Sequence, residues 1–337
     1  MNIRELGERK LVSTIHRLQA MPAMGYIGIG DDAAFLPASD KGWLATSDML
    51  VEGTHFRWQW MDPEQLGEKA VAVNVSDIAA MGGVPKVCLT SLAVHGDVQV
   101  DRVESIYRGI ARALDRYGAV LVGGDTVGSE GGLVLDVTML GEPAPAGPVL
   151  RRGARPGDRL IVTGRLGAAY GGLVLLERGV RWPGTTAAER SLLTAQLAPT
   201  ARLEAGSVLA SLVHSMTDVS DGLVAELREL ARFGGIGMRI TEALLPIDEA
   251  TKELAEREGA DPHHWAYYGG EDYELLAAVP PSHIDEARET LERVGIAFAE
   301  VGVVTDQPGV FAVSDQGERR LDEEGEFNHF SVQKMLC

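Results

Sequence analysis

The sequence predicts a two-domain chain of mixed α/β (α+β) class, with mixed sheets covered by helices in both halves. Three observations predict it. A length of 337 residues exceeds what one typical hydrophobic core organises. Short β-branched runs alternate with segments of helical period along most of the chain, the signature of layered sheets and helices. The stretch "GEPAPAGPVLRRGARPGD" at 141–158 gathers Pro and Gly and interrupts both periods, so it reads as an extended connection. The resulting division is an N-terminal domain over 1–142, a connection over 143–158 and a C-terminal domain over 159–337.

Taken in order, "WLATSD" (43–48) is the first strand, with Asp48 at its C-terminal end. A helix opens at Asp62-Pro63, where Asp serves as N-cap, Pro occupies the first turn and Gln65 completes a capping box. It runs to Met81 and stops at Gly82-Gly83, with Pro85 beyond. The alternation of Val71, Val73 and Val75 also suits a strand, but the signals at both ends favour helix. "KVCLTSLAV" (86–94) is the second strand, a helix over 99–117 ends at Gly118, and "AVLVGGD" (119–125) and "LVLDVTMLG" (133–141) are the next strands. Beyond the connection, strands are expected at 159–164, 215–220, 237–244, 273–279 and 297–304. Helices are expected near 168–178, 186–196, 201–212, 222–233, 248–258 and 282–293.

Charge narrows the partners. The chain carries a formal net charge of −18, which repels nucleic acid and anionic membrane alike. Lysine is confined to Lys10, Lys41, Lys69, Lys86, Lys252 and Lys334, and none lies in a G-x-x-x-x-G-K-[ST] phosphate loop. Cys88 and Cys337 make neither a disulfide framework nor a zinc site, and Cys88, in "VCLTSLAV", reads as a small buried hydrophobe. The charged start "MNIRELGERKLV" lacks the apolar stretch of a signal peptide, and no run is long enough to span a bilayer. A cytoplasmic location is expected.

The residues that stand out are acidic ones beside Gly or Ser at element ends. Val-Ser-Asp occurs twice, in "NVSDIA" at 74–79 and "DVSDGL" at 218–223. "GIGDDAAFL" adds Asp31 and Asp32, "ATSDML" Asp48, "GGDT" Asp125, and "GGED" Glu271 and Asp272. Turn and cap preferences explain many such positions in any protein. In the first helix, however, Asn74 and Asp77 share a face otherwise made of Ala and Val, so the first Val-Ser-Asp is not a cap. Strand C-termini in α/β sheets open onto the ligand crevice. Two like charges about 4 Å apart repel by about 4 kcal/mol at an effective dielectric of 20, so gathered carboxylates need a cation. Magnesium, which takes a few carboxylates together with substrate phosphates, suits an acidic protein that lacks a phosphate-binding lysine. "GGDT" and the start of the helix near Gly222 supply backbone N–H groups for an anion, and Arg151 and Arg152 are cations within reach of phosphate.

The ordered set "GIGDDAAFL", "TSDMLVEGTHF", "KAVAVNVSDIAAMGG", "LVGGDT", "DVSDGL" and "GGEDYELL" resembles the thiamine-monophosphate kinase family. That family lies in the superfamily that also holds aminoimidazole ribonucleotide synthetase and selenophosphate synthetase. The resemblance implies the two-domain aminoimidazole ribonucleotide synthetase-like fold. It also implies homodimers whose N-terminal domains pair into a β-barrel, and a nucleotide held in the cleft between domains. The implied activity is ATP-dependent phosphorylation of thiamine monophosphate to the diphosphate with several Mg²⁺ ions. By motif, Asp31, Thr46, Ser47, Asp48, Asp77, Asp125, Asp218 and Asp221 match magnesium positions. Tyr107, Gly124, Asp125, Arg151 and Ser220 match nucleotide contacts, and His55, Glu271 and Phe327 match substrate contacts.

The acceptor in that reaction is a phosphate, which needs no strong base, so the chemistry reduces to positioning and charge neutralisation. Direct in-line transfer without a covalent enzyme intermediate is expected, with His55 as an orienting donor. Two other readings compete. A hydrogenase-maturation relative that dehydrates a carbamoyl group uses a C-terminal Cys, and this chain ends in Cys337; its "KMLC" ending lacks that relative's preceding Pro-Arg-Ile. A non-catalytic nucleotide-binding protein is the second.

Overall fold

The structure is a computed structural model that describes residues 38–232 and 235–321, together with Asn2, Glu5, Thr14, Ile15, Arg17 and Leu18. Its pivot is helix α1 (Pro63–Ala80). Apart from its first turn it is Ala- and Val-rich on every side, and a helix apolar all round must be enclosed all round. Thirteen of its residues are buried, Lys69, Asn74 and Ser76 among them. At its start Gln65 Oε1 accepts from the Asp62 backbone N–H at 2.9 Å, as the capping pattern predicts.

On one side α1 packs against helix α2 (Val100–Tyr117), and the two backbones approach closely at two glycines. A Cβ on Gly67 would lie 2.1 Å from the Ile106 carbonyl oxygen, and one on Gly109 would lie 2.0 Å from that of Glu64. The α2 helix ends at Gly118 in the left-handed conformation (φ 72°), as the sequence predicts. Both helices cover one face of a four-stranded sheet formed by β1 (Leu44–Val51), β2 (Val84–Val94), β3 (Val120–Gly128) and β4 (Val134–Glu142). The strand order is β1-β4-β2-β3, with β2 and β3 parallel and the other pairs antiparallel. No described element covers the opposite face, where Met49 is 53% and Val127 49% exposed.

On its other side α1 meets the C-terminal half, contacting helix α4 (Ala187–Leu197), which packs with α3 (Ala168–Glu177) in the same continuous core. It also contacts α5 (Leu203–Leu209) and strand β6 (Ser215–Asp218). Strand β6 is the edge of a seven-stranded sheet ordered β11-β10-β7-β9-β5-β8-β6. Its other strands are β5 (Arg159–Thr163), β7 (Gly237–Thr241), β8 (Leu275–Val279), β9 (Phe298–Thr305), β10 (Gly309–Ser314) and β11 (Gly317–Arg320). Helix α6 (Leu223–Arg232) and α8 (Pro262–Tyr268) pack in one core against it, and α5 and α9 (Ile284–Arg293) in a second. Helix α7 (Glu249–Arg257) completes the outer layer beside α3 and α4.

Several details depart from the sequence reading, among them the helix expected over 201–212, which spans only Leu203–Leu209. Strand β1 continues to Val51, so Asp48 lies inside the strand and not at its end. The strand expected over 237–244 stops at Thr241 and turns into a 3₁₀ helix at Glu242–Leu244. The strand expected from 273 begins at Leu275, because Tyr273 takes a left-handed conformation (φ 50°) that a ladder does not accommodate. Helix α8 and the hairpin β10–β11 were not expected; α8 is short and aromatic-rich, and β11, "GERR", is exposed at every position. Among the described residues no helix is long and apolar enough to cross a membrane.

Candidate active site

The pleat of β1 separates the residues that the sequence groups together. Successive side chains of a strand point to opposite faces. Thr46 and Asp48 face α1, and the Thr46 hydroxyl donates to Asp77 Oδ2. Ser47 points the other way, where its hydroxyl donates to Asp136 Oδ1 at 2.9 Å and lies 3.1 Å from Thr138 Oγ1. Asp125, in β3, is exposed and its Oδ1 accepts from the Thr126 N–H at 2.8 Å. Register puts Asp125 opposite Ser91, and Ser91 opposite Asp136, so Ser47, Asp136 and Asp125 belong to the open face of the sheet. Gly124, just before Asp125, sits so close to β2 that a Cβ would lie 2.0 Å from the Thr90 carbonyl oxygen.

The inward group gathers at the junction of the two halves. Helix α1 carries Ser76 and Asp77, and β6 ends at Asp218. The buried Ser76 hydroxyl donates to Asp218 Oδ2 at 2.6 Å across 142 residues of chain. Asp48 and Asp77 stand close enough that each alters the other's proton affinity. Burial first, then the charges of Asp77 and Asp218, raises the Asp48 pKa to about 7. Burial and the Asp77 charge likewise raise Asp218 to about 7, against the Ser76 hydroxyl and Arg151. Asp77 moves in the same direction through burial, opposed by Thr46 and Arg151. The two Val-Ser-Asp segments therefore meet, and the first lies inside a helix, not at its cap.

Arg151 brings positive charge to this junction. Its Nε donates to Thr217 Oγ1 at 3.1 Å, and its Nη2 lies 3.9 Å from Glu226 Oε2. Glu226, on α6, is nearly enclosed and accepts from Thr217 Oγ1 at 3.0 Å and from Ser220 Oγ at 3.5 Å. Burial, with the Asp218 charge adding to it, pushes the Glu226 pKa up to about 8. Ser220 and Asp221 lie on the turn between β6 and α6, with Asp221 exposed. The Glu271 N–H donates to the Ser220 carbonyl at 2.7 Å, and the Tyr273 N–H to that of Val219 at 2.9 Å, so the two loops lock together. Glu271 is also left-handed (φ 70°). Asp272 caps α3, accepting from the N–H groups of Gly167 at 2.6 Å and Ala169 at 3.1 Å. For Asp272 the plain capping explanation holds.

His55 follows β1, and its Nδ1 accepts from the Val51 N–H at 3.0 Å. That contact puts the proton on Nε2 in the neutral ring. Tyr107 is enclosed in the N-terminal core at 2% exposure, with its hydroxyl 3.1 Å from Thr90 Oγ1 beneath the Gly124 segment. Asp31 and Phe327, and with them Asp32 and Cys337, lie outside the described residues. Cys88 is buried, as expected.

Sequence reading missed several members of this neighbourhood. Asp136 and Glu226 carry no motif signal beyond being acidic in an apolar strand and an amphipathic helix. Tyr273 is buried, though not completely, and its phenol pKa is driven well above the ordinary value by burial and by the charges of Glu271, Asp48, Asp218 and Asp221. It is therefore a neutral hydroxyl among carboxylates. Lys69 was the one lysine inside the apolar helix, a visible anomaly whose partner was not.

Among the described residues no group of three His, Cys, Asp or Glu side chains is arranged to hold a metal ion as it stands. The donor set nonetheless fits a hard cation in kind. Asp48, Asp77 and Asp218 are oxygen donors whose anionic forms are mutually disfavoured and partly desolvated, the condition that a divalent ion relieves.

The N-terminal domain of the AIR synthase related proteins matches residues 30–142, and their C-terminal domain matches residues 155–315. The chain thus belongs to the AIR synthase related proteins. The thiamine-monophosphate kinase of Bacillus subtilis (strain 168) is 33% identical over 308 residues, covering 90% of this chain and 93% of that protein. That of Aquifex aeolicus (strain VF5) is 36% identical over 313 residues, covering 92% and 95%. Within the class, the chain is a member of the thiamine-monophosphate kinase family. The crystal structure of thiamine-monophosphate kinase from Stenotrophomonas maltophilia K279a superposes with a TM-score of 0.80 at 32% identity, over 90% of this chain and 95% of that one. AaThiL complexed with AMPPCP and TMP gives 0.76 at 35% identity, over 98% and 99%. The hydrogenase maturation protein HypE in complex with ATP gives 0.78 at 18% identity, over 96% and 97%, a likeness of fold alone.

Proposed function

We propose that this protein transfers the γ-phosphoryl group of ATP to the phosphate of thiamine monophosphate, yielding thiamine diphosphate and ADP by direct in-line displacement. The observation that carries the reading is the meeting of Asp48 and Asp77 from one half with Asp218 from the other, tied by the Ser76 to Asp218 hydrogen bond of 2.6 Å. Family membership and the AaThiL complex with AMPPCP and TMP support the two substrates.

Asp48, Asp77 and Asp218, with Asp31, Asp221 and the Thr46 hydroxyl, are the residues that would hold Mg²⁺. Ser47 and Asp125 stand on opposite edge strands of the open face, so they would serve separate further ions. Bound there, magnesium neutralises the facing phosphates and acts as a template for their alignment. The remaining work belongs to the chain. Arg151, anchored by Thr217 and Glu226, offers its remaining guanidinium donors to nucleotide phosphate, next to Ser220. The bared backbone of Gly124 and Asp125 lets the nucleotide approach β3, with Tyr107 supporting Thr90 underneath. Glu271 and, by motif alone, Phe327 are the residues that would contact the acceptor. His55 presents Nε2–H, which orients the acceptor and cannot take its proton, in keeping with a phosphate nucleophile that arrives ionised.

A second copy of this chain is the proposed cover for the open face of the four-stranded sheet, which would close it into a barrel. Solvent-facing Met49 and Val127 on that face support this. The test of the activity is direct: purified protein with ATP, Mg²⁺ and thiamine monophosphate is scored for thiamine diphosphate and ADP, with and without chelator. Stoichiometric products that vanish with chelator are expected. No product while a Bacillus subtilis control turns over would leave the binding-only alternative.

A further inference from the structure

Lys69 is the one charged side chain in the α1 interior that is almost wholly enclosed, at 2% exposure. Its ammonium lies 2.9 Å from Glu271 Oε1 and donates to the Gln196 carbonyl at 2.8 Å. The Gln196 side chain in turn donates through Nε2 to Glu271 Oε2. Each carboxylate oxygen of Glu271 is thus held by one donor, one from the N-terminal half and one from α4. The Glu271 backbone sits in a left-handed conformation (φ 70°), which a non-glycine residue keeps where its surroundings over-determine it.

Stability does not account for this arrangement. Burying an ion pair is often no better than packing an apolar residue of similar size in its place. A Leu or Met at position 69 would continue the Ala and Val surface of α1. What an ammonium supplies that Leu cannot is a fixed direction for the Glu271 carboxylate. The Glu271 N–H is bonded to the Ser220 carbonyl, so this carboxylate stands beside the segment that carries Ser220 and Asp221. It also keeps 26% of its side chain open.

We propose that Lys69, with Gln196, is a positioning residue that aims the Glu271 carboxylate at the acceptor substrate. The proposal rests on the reading of Glu271 as an acceptor contact. Lys69 touches no substrate itself. Held this way, Glu271 keeps one lone-pair direction per oxygen for donors on the acceptor, and its orientation exists before the substrate arrives.

The test compares steady-state kinetics of wild type, Lys69→Met, Gln196→Met, Glu271→Gln and Lys69→Met/Glu271→Gln, varying thiamine monophosphate and ATP separately. Losing a charge-assisted hydrogen bond corresponds to about 10–100-fold in the KM for thiamine monophosphate. That rise is expected in Lys69→Met and Glu271→Gln, and a smaller one in Gln196→Met, with the KM for ATP unchanged. In the double variant Lys69→Met should add little to Glu271→Gln, since there is no longer an anion to aim. If Lys69→Met does not accumulate folded, Gln196→Met, which removes only a neutral donor, carries the comparison.

A Glu271→Gln effect without any effect of Lys69→Met or Gln196→Met overturns the positioning role alone. Parallel rises in both KM values with a lowered Tm would make Lys69 a structural tie between domains, and overturn it too. A silent Glu271→Gln removes Glu271 from the acceptor site and the inference with it. Absence of wild-type turnover overturns the underlying kinase reading first.

Discussion

Replacing Asp218 by Asn is predicted to stabilise the metal-free protein at alkaline pH while abolishing its turnover. Asp218 is 1% exposed, and burial, then the Asp77 charge, raises its pKa from 3.8 to about 7. A folded-state value above the unfolded one means that the folded chain holds this proton more tightly. The favourable contribution is fully present below about pH 4 and is lost as pH rises through about 7. Above that, the folded protein carries a buried anion at a disadvantage of about 4 kcal/mol at most, by the equivalence of one pKa unit to 1.36 kcal/mol. Asn is nearly isosteric, retains an acceptor for the Ser76 hydroxyl and carries no charge. In chelator at pH 8, denaturant unfolding should show the variant more stable than wild type by about 2–4 kcal/mol, a gap that narrows below pH 7 and closes near pH 4. Magnesium should raise the wild-type Tm at pH 8 through binding to the folded state and leave the variant's unmoved. A variant no more stable than wild type at pH 8 in chelator, or a gap indifferent to pH, would refute the account of Asp218 as a destabilised, cation-seeking carboxylate.

Three further outcomes are expected. Asp77→Asn should abolish phosphoryl transfer while its thermal transition stays in place; near-normal turnover would take Asp77 out of the proposed metal set. Gly109→Ala puts a Cβ 2.0 Å from the Glu64 carbonyl oxygen and forces α1 and α2 apart, so its Tm should fall by an amount corresponding to about 2–4 kcal/mol, with KM values measured well below the transition unchanged. Removing Cys337 should leave turnover intact, because nothing in phosphate-to-phosphate transfer uses a thiol. Loss of turnover with ATP still bound would instead revive the carbamoyl-dehydrating alternative.

The elements that were legible in sequence share a local cause. Asp62, Pro63 and Gln65 start α1, Gly118 ends α2, and the Pro- and Gly-rich stretch after Glu142 stops the first sheet, each through conformational preferences within a few residues. Two elements were missed. One of them is α8, although Asp261-Pro262 starts it with the same signal as α1, because seven residues are too few to show a helical period. The β10–β11 hairpin owes its place to the neighbouring β7, with which β10 pairs in parallel, and α8 to the core that encloses Trp265 and Tyr267. The site was legible as a list of acidic residues, because carboxylates beside Gly and Ser are conspicuous. Its partition was not. Period-2 alternation says that Ser47 and Asp48 face opposite ways, but not which face meets the other half of the molecule.

By itself, the sequence determined the class of fold, the family, the run of most strands and helices, and the acidic chemistry, since these depend on composition, short-range preference and ordered motifs. Only the tertiary structure decided that Ser76 reaches Asp218, that Asp136 and Glu226 join the neighbourhood, that Tyr273 sits neutral among carboxylates, and that Lys69 holds Glu271. The physical reason is that α1 is apolar on every side and so must be enclosed by both halves. Two of the polar groups it carries, Lys69 and Ser76, are brought against partners more than a hundred residues away, which no local pattern encodes.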